Sequence, residues 1–158
     1  MESKKSNTEI ITAFYSAFQK KDAETMVSFY DDTITFEDPA FGKLIGKDAK
    51  NMWRMLCQNS TDIKITFEII NAKDKSVTAH WNADYNFSKT GRFVKNRIDA
   101  SFEIENGKII THRDVFNLWK WSQQAFGLTG WLIGWSPLFK NKLQKTTNSM
   151  LDKFVAKA

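Results

Sequence analysis

Asp38 closes a run in which apolar and polar residues alternate, Thr33-Ile34-Thr35-Phe36-Glu37-Asp38, directly ahead of Pro39. The alternation predicts a strand, and in a strand every second side chain shares a face, so Asp38 points the same way as Ile34 and Phe36. A carboxylate turned toward apolar walls loses hydration; its pKa rises and it becomes a better proton acceptor near neutral pH. The other reading of the residue is a turn role, in which Asp accepts hydrogen bonds from the backbone N–H groups that follow it. His112 and Asp114 form a second constellation. They stand two apart on a later strand and share a face with Ile110 and Phe116. Inside an apolar cavity this pair can donate a proton to an oxygen while Asp38 removes one from carbon. Its other reading is a buried structural pair. Two distant histidines, His80 and His112, and the single Cys57 show no ligand spacing, so no metal site is expected.

The elements that must position these groups follow from periodicity. Ser6 and Glu9 have capping-box spacing, and Ile10, Phe14, Ala17 and Phe18 recur at helical intervals, predicting a helix over 7–20. Asp22 caps a second, short helix with Ala23, Met26, Val27 and Tyr30 on one face. A strand over 33–38 precedes a loop flanked by Gly42 and Gly46, and a third helix over 47–58 buries Ala49, Met52, Trp53 and Leu56. Four alternating strands follow. Their inner faces carry Ile63 to Ile69, then Val77, Ala79, Trp81, Ala83, Tyr85 and Phe87, then Ile98, Ala100, Phe102 and Ile104. The last runs from Ile109 to about Leu118, after a hairpin signal at Glu105-Asn106-Gly107. Residues 122–126 read as helical, 127–130 as loop, and Ser136-Pro137 opens a terminal amphipathic helix. Helices followed by long one-sided strands indicate an α+β fold with a curved antiparallel sheet, mixed at its edge, wrapped around three N-terminal helices.

A chain of 158 residues supports one domain, here a body over 1–125 with a C-terminal helical extension over 126–158. The net charge of +5 is unevenly placed: residues 137–158 carry five lysines against Asp152, and the body is nearly neutral. A neutral body argues against a nucleic-acid partner. Residues 1–7 carry no apolar run of a secretory leader, and a cytoplasmic location is the default expectation. The apolar stripe Phe139, Leu143, Met150 and Phe154 is expected to pack on the body or a partner subunit; docking of 131–158 on an anionic membrane is the weaker alternative.

The stretch Phe29-Tyr30-Asp31-Asp32-Thr33-Ile34-Thr35-Phe36-Glu37-Asp38-Pro39, with Thr90-Gly91-Arg92, Glu105-Asn106-Gly107-Lys108-Ile109 and His112-Arg113-Asp114, resembles the nuclear transport factor 2-like superfamily. Within it the chain is similar to SnoaL-like polyketide cyclases and ketosteroid isomerases. The resemblance implies a cone-shaped domain holding a small apolar molecule, and either cofactor-free acid/base isomerase or cyclase chemistry on a carbonyl compound or binding without turnover. Glu37-Asp38-Pro39 matches the element whose Asp is the isomerase base. The isomerase's first-helix tyrosine falls at Phe14 or Tyr15, with the alignment favouring Phe14, which has no hydroxyl. Asp99 meets its second carboxyl, but strand parity turns Asp99 outward. Tyr30, Phe36, Trp53, Trp81, Tyr85 and Phe116 complete the expected cavity wall, each also readable as core packing. The polar strand face with Thr78, His80, Asn82 and Asp84 resembles the surface through which such folds form homodimers.

Overall fold

The computed structural model describes residues 5–158; residues 1–4, which carry part of the leader argument, lie outside the described residues. Helix α1 (Asn7–Gln19) begins at the predicted box: the Ser6 hydroxyl accepts from the Glu9 N–H, and the Glu9 carboxylate accepts from the Ser6 N–H. It buries Ile10, Ile11, Phe14, Tyr15 and Phe18. Helix α2 (Ala23–Ser28) is capped by Asp22. It stops before Tyr30, which opens strand β1 (Tyr30–Asp38) instead of completing the helical face. Strand β2 (Gly42–Ile45) occupies the span expected as loop, pairing antiparallel with β1 so that Asp38 meets Gly42. Gly42 adopts φ 75, the left-handed turn conformation that needs no Cβ.

Helix α3 (Lys47–Asn59) then leads into β3 (Lys64–Ala72), β4 (Ser76–Asn86), β5 (Phe93–Glu105) and β6 (Lys108–Val115). The six strands run in the order β2-β1-β6-β5-β4-β3. Only β1 and β6 pair in parallel; the rest are antiparallel, so the sheet is mixed as expected. Register shifts interrupt β1/β6, β3/β4 and β5/β6. The shifts in β3/β4 and β5/β6 each insert one residue and that in β1/β6 inserts three on β1; such irregularities increase local twist and help curl the sheet around α1 and α3. The shift in β6 corrects one expectation. Ile104 pairs with Ile109 and Glu103 with Thr111, leaving Ile110 as the extra residue. Ile109 is therefore fully buried, and Ile110 does not share the inner face with His112 and Asp114.

Helix α4 (Leu118–Phe126) starts four residues earlier than expected, capped by Asn117, and β6 correspondingly ends at Val115. The expected loop after it is helix α5 (Leu128–Ile133). It was hidden because Gly127, Gly130 and Gly134 read as breakers. Gly130 and Gly134 are instead contact residues: a Cβ on the first would collide with the Ser122 backbone of α4, and on the second with the Ser122 hydroxyl. A Gly130→Ala variant is expected to lose about 1–3 kcal/mol, because backbone cannot yield as a side chain does; thermal unfolding measures it.

Helix α6 (Pro137–Lys157) opens on Ser136 and Pro137 as predicted and packs on the body. Its Gln144, Thr147 and Asn148 side chains donate to three successive carbonyls, those of Pro39, Ala40 and Phe41, in the β1–β2 turn. Leu151 is buried beneath it. The terminal helix thus ties itself to the segment that follows Asp38.

Candidate functional site

Asp38 ends β1 at the mouth of the curled sheet. Its Oδ1 accepts from the Ala40 N–H at 3.0 Å and the Phe41 N–H at 2.6 Å, so the turn role and the inward orientation hold together. The carboxyl also lines a cavity of about 320 Å³, within the size range of small-molecule sites. Burial raises its pKa to about 7; the two backbone donors oppose the rise, and the negative charge of Asp114 adds to it.

The cavity lies between the inner faces of β4 and β5, the end of α3, helix α4 and helix α6. Trp81, Tyr85, Phe116 and Asp114, all expected at the site, line it together with Asp38. Leu56, Ile98, Trp121, Phe126, Leu143 and Met150 supply most of the remaining apolar wall. Cα parity on β6 puts His112 and Asp114 on the same inner face as expected, but at different depths. Asp114 is at the wall, whereas His112 is fully buried behind it and does not line the cavity.

His112 sits among rings. Phe102 lies 4.2 Å away between centroids, Trp53 stacks on the imidazole at 5.9 Å, and Phe14 and Phe36 meet it edge-on. Phe14, Tyr15, Tyr30, Phe36 and Trp53 were expected as cavity wall. All five are sealed in the core around this imidazole and none lines the cavity. Close packing of large rings fills that part of the interior, leaving the open space nearer α4 and α6.

A continuous hydrogen-bonded chain crosses this core. Trp53 Nε1 donates to the Tyr30 hydroxyl at 2.7 Å, and that hydroxyl lies 2.7 Å from His112 Nδ1. His112 Nε2 lies 2.9 Å from Asp114 Oδ1, which also accepts from Trp81 Nε1 at 3.3 Å. Because the Tyr30 oxygen already accepts from Trp53, its own proton is best directed at Nδ1, which leaves Nε2–H to donate to Asp114. The chain therefore delivers donors to one carboxylate oxygen at the cavity wall. The Tyr15 hydroxyl, by contrast, is buried without a partner, and burial holds its pKa well above the usual phenol value.

Two features of the wall were not read from the sequence: the hydrogen bonding of Tyr85 and the presence of Asn96. Trp121 Nε1 donates to the Tyr85 hydroxyl at 2.8 Å, and no acceptor among the described residues takes the Tyr85 proton. Burial raises the Tyr85 pKa, so the hydroxyl keeps that proton to donate. Asn96 also lines the cavity, one step along the alternation from Ile98 on β5; extending that inward series backward would have found it. Asp99 faces outward as parity required, hydrogen bonded to His80 at 2.9 Å on the outer sheet surface. Among the described residues no group of three or more His, Cys, Asp and Glu gathers to hold a metal ion. Among the described residues no helix is long and apolar enough to cross a membrane.

An α+β cone with helices closing one face of a curled six-stranded sheet is the nuclear transport factor 2-like fold. The chain belongs to the SnoaL-like domain family, whose sequence pattern matches residues 11–112. A ketosteroid isomerase-like protein from Catenulispora acidiphila, solved in complex with trimethylamine, superimposes with TM-score 0.66 at 16% identity over 84% of this chain and 100% of that one. An LEH-like epoxide hydrolase from M. tuberculosis gives TM-score 0.59 at 19% identity over 78% and 92%. A protein named as a polyketide cyclase from Xanthomonas campestris gives 0.60 at 21% over 75% and 95%. Identities this low establish the shared fold alone, and these folds carry several chemistries. No curated protein matches the chain significantly.

Proposed function

We propose that this cone binds a small apolar carbonyl compound and moves a proton on it without a cofactor, as an isomerase or cyclase. The observation that carries the reading is the meeting of a half-sheltered carboxyl, Asp38, and an uncommitted hydroxyl donor, Tyr85, at the wall of one apolar cavity. The ionised Asp38 removes a proton from the carbon next to the carbonyl. The electron pair moves onto the carbonyl oxygen, which accepts a hydrogen bond from Tyr85. Protonated Asp38 then returns the proton to another carbon, or the enolate carbon attacks a second carbonyl of the same molecule, closing the ring as that C=O π pair moves onto its oxygen, which takes the proton from Asp38. Asp114 keeps a second carboxylate at the wall, and His112, with no access to the ligand, acts as its positioning residue.

The test is deuterium incorporation at the α-carbon of 2-tetralone, a compact apolar ketone, followed by proton NMR in heavy water. Exchange above the buffer rate that disappears when Asp38 is replaced supports the reading. Binding of the ketone with exchange no faster than buffer leaves a binding module, the reading favoured by the backbone donors already engaged on Asp38.

The same proposal includes a homodimer formed through the outer sheet face that bears Thr78, His80, Asn82 and Asp84. Polar side chains already bonded to one another there, such as His80 to Asn82 at 3.0 Å, present an ordered surface for pairing. Light scattering at micromolar concentration is expected to give twice the 18.3 kDa chain mass; a monomer overturns this part.

A further inference from the structure

Helix α5 packs inside out. Its small residues face the protein: Gly130 is buried, Gly134 follows four positions later, and both press on Ser122 so closely that neither position has room for a Cβ. Its large residues face away. Leu128, Trp131, Leu132 and Ile133 are exposed, and Trp135 and Leu138 continue the patch into α6 at 67% and 81% exposure. An amphipathic helix of a soluble body normally turns the other way. Two of the three exposed tryptophans, Trp119 and Trp135, are also pre-satisfied. Trp135 Nε1 donates to the Leu132 carbonyl, and Trp119 Nε1 donates to the Trp131 carbonyl. These bonds need no outside partner, and the exposed rings remain as apolar surface. Contiguous apolar surface of this kind marks a contact site.

Charge identifies what makes the contact. Between Asp114 and Asp152 the chain has no acidic residue, and it carries Lys120, Lys140, Lys142 and Lys145. On α6, Leu138, Lys142 and Lys145 recur at i, i+4 and i+7, so a lysine stripe extends from the most exposed apolar residue. Tryptophans and aliphatic chains at an edge, backed by lysines, match the boundary between acyl chains and anionic headgroups. We propose that α5 and the first turns of α6 dock on an anionic lipid bilayer. Trp131, Trp135 and Leu138 enter the headgroup boundary, and Lys142 and Lys145 lie over the anionic lipids. The docking is at the surface: among the described residues no helix is long and apolar enough to cross a membrane.

Co-sedimentation of the full chain with vesicles tests this. One set contains two parts phosphatidylcholine to one part phosphatidylserine; the other is phosphatidylcholine alone. The chain is expected to pellet with the anionic vesicles and to be released by high salt. Trp131→Ala with Trp135→Ala is expected to weaken binding by tenfold or more (~tenfold from lost apolar insertion). Lys142→Ala with Lys145→Ala is expected to weaken it roughly fivefold per lysine, on anionic vesicles only. All four positions are exposed, so thermal unfolding of the variants should match the parent, and lost binding then reports the surface itself. Equal pelleting of parent and variants overturns the proposal, as does binding indifferent to lipid charge. Absence of pelleting, with the tryptophan variant turning an oligomer into a smaller species by light scattering, assigns the patch to a protein contact and also overturns it.

Discussion

Replacing Asp38 with Asn is expected to cut the rate of ketone α-proton exchange by about 10²–10⁴-fold while making the folded protein more stable above neutral pH. Both effects come from one cause. Burial raises the carboxyl to about 7 in the folded chain, whereas the unfolded chain titrates near the ordinary aspartate value of 3.8. Between those values the native state holds a proton that the unfolded state has released. The stabilisation from protonated Asp38 is fully present below about pH 4 and is lost as pH rises through about 7. The difference between those two values corresponds to about 4 kcal/mol as a ceiling. Asp38 keeps some contact with solvent through the cavity, so screening reduces the figure to about 2 kcal/mol. Asn cannot ionise, yet its amide oxygen can still accept from Ala40 and Phe41, so the turn survives. Denaturant unfolding at pH 5 and pH 8 should therefore show parent and variant converging at the lower pH and the variant ahead at the higher. Exchange by the parent should rise with pH through about 7 and then level, because only the ionised carboxylate is a base. A variant that loses stability at pH 8 would assign Asp38 to the turn alone. Such opposition between stability and activity is what a sheltered catalytic carboxyl should display.

The direction of Asp38 was legible because a strand's period of two is a local property. The same logic placed Asp114 and His112 together and sent Asp99 outward, and each side chain lies on that face. Parity does not report depth. Phe14, Tyr15, Tyr30, Phe36 and Trp53 have inward positions as good as those of Trp81, Tyr85 and Phe116, yet only the latter three reach the cavity. Which inward rings fill space and which border it depends on how the sheet curls, and the curl depends on bulges such as the one at Ile110 that no alternation announces. The roof is also non-local. Gln144, Thr147 and Asn148 find carbonyls more than a hundred residues earlier, and only that docking brings Leu143 and Met150 over the site. Strand β2 escaped notice because three residues between two glycines carry too little pattern, and α5 because its glycines serve as contacts rather than turns.

His112→Phe is expected to be the most damaging substitution of the core, lowering stability by roughly 3–5 kcal/mol despite preserving an aromatic ring of similar shape. Phenylalanine would fit between Phe102 and Trp53 without opening a large void. What it removes is the junction of the hydrogen-bonded chain. The Tyr30 hydroxyl would lose the acceptor for its proton, and the Asp114 carboxylate would lose the closer of its two donors, leaving the 3.3 Å contact from Trp81. Two buried polar groups would then each be one partner short where water does not reach, Tyr30 at 2% exposure and Asp114 at 3%. Each such group costs about 1–3 kcal/mol, and a charged one costs more. Against a total stability of about 5–15 kcal/mol, that loss is a large share. The packing explanation and the polar explanation separate in a double-mutant cycle. If His112 matters through Asp114, then His112→Phe in an Asp114→Asn background should cost at least ~1 kcal/mol less than in the parent. Equal costs in both backgrounds would mean the imidazole is only a ring in a ring cluster. A coupled cost would explain why a polar pair is kept inside so aromatic a core: it fixes a buried carboxylate at the cavity wall, and with it the negative charge that helps hold Asp38 poised near neutrality.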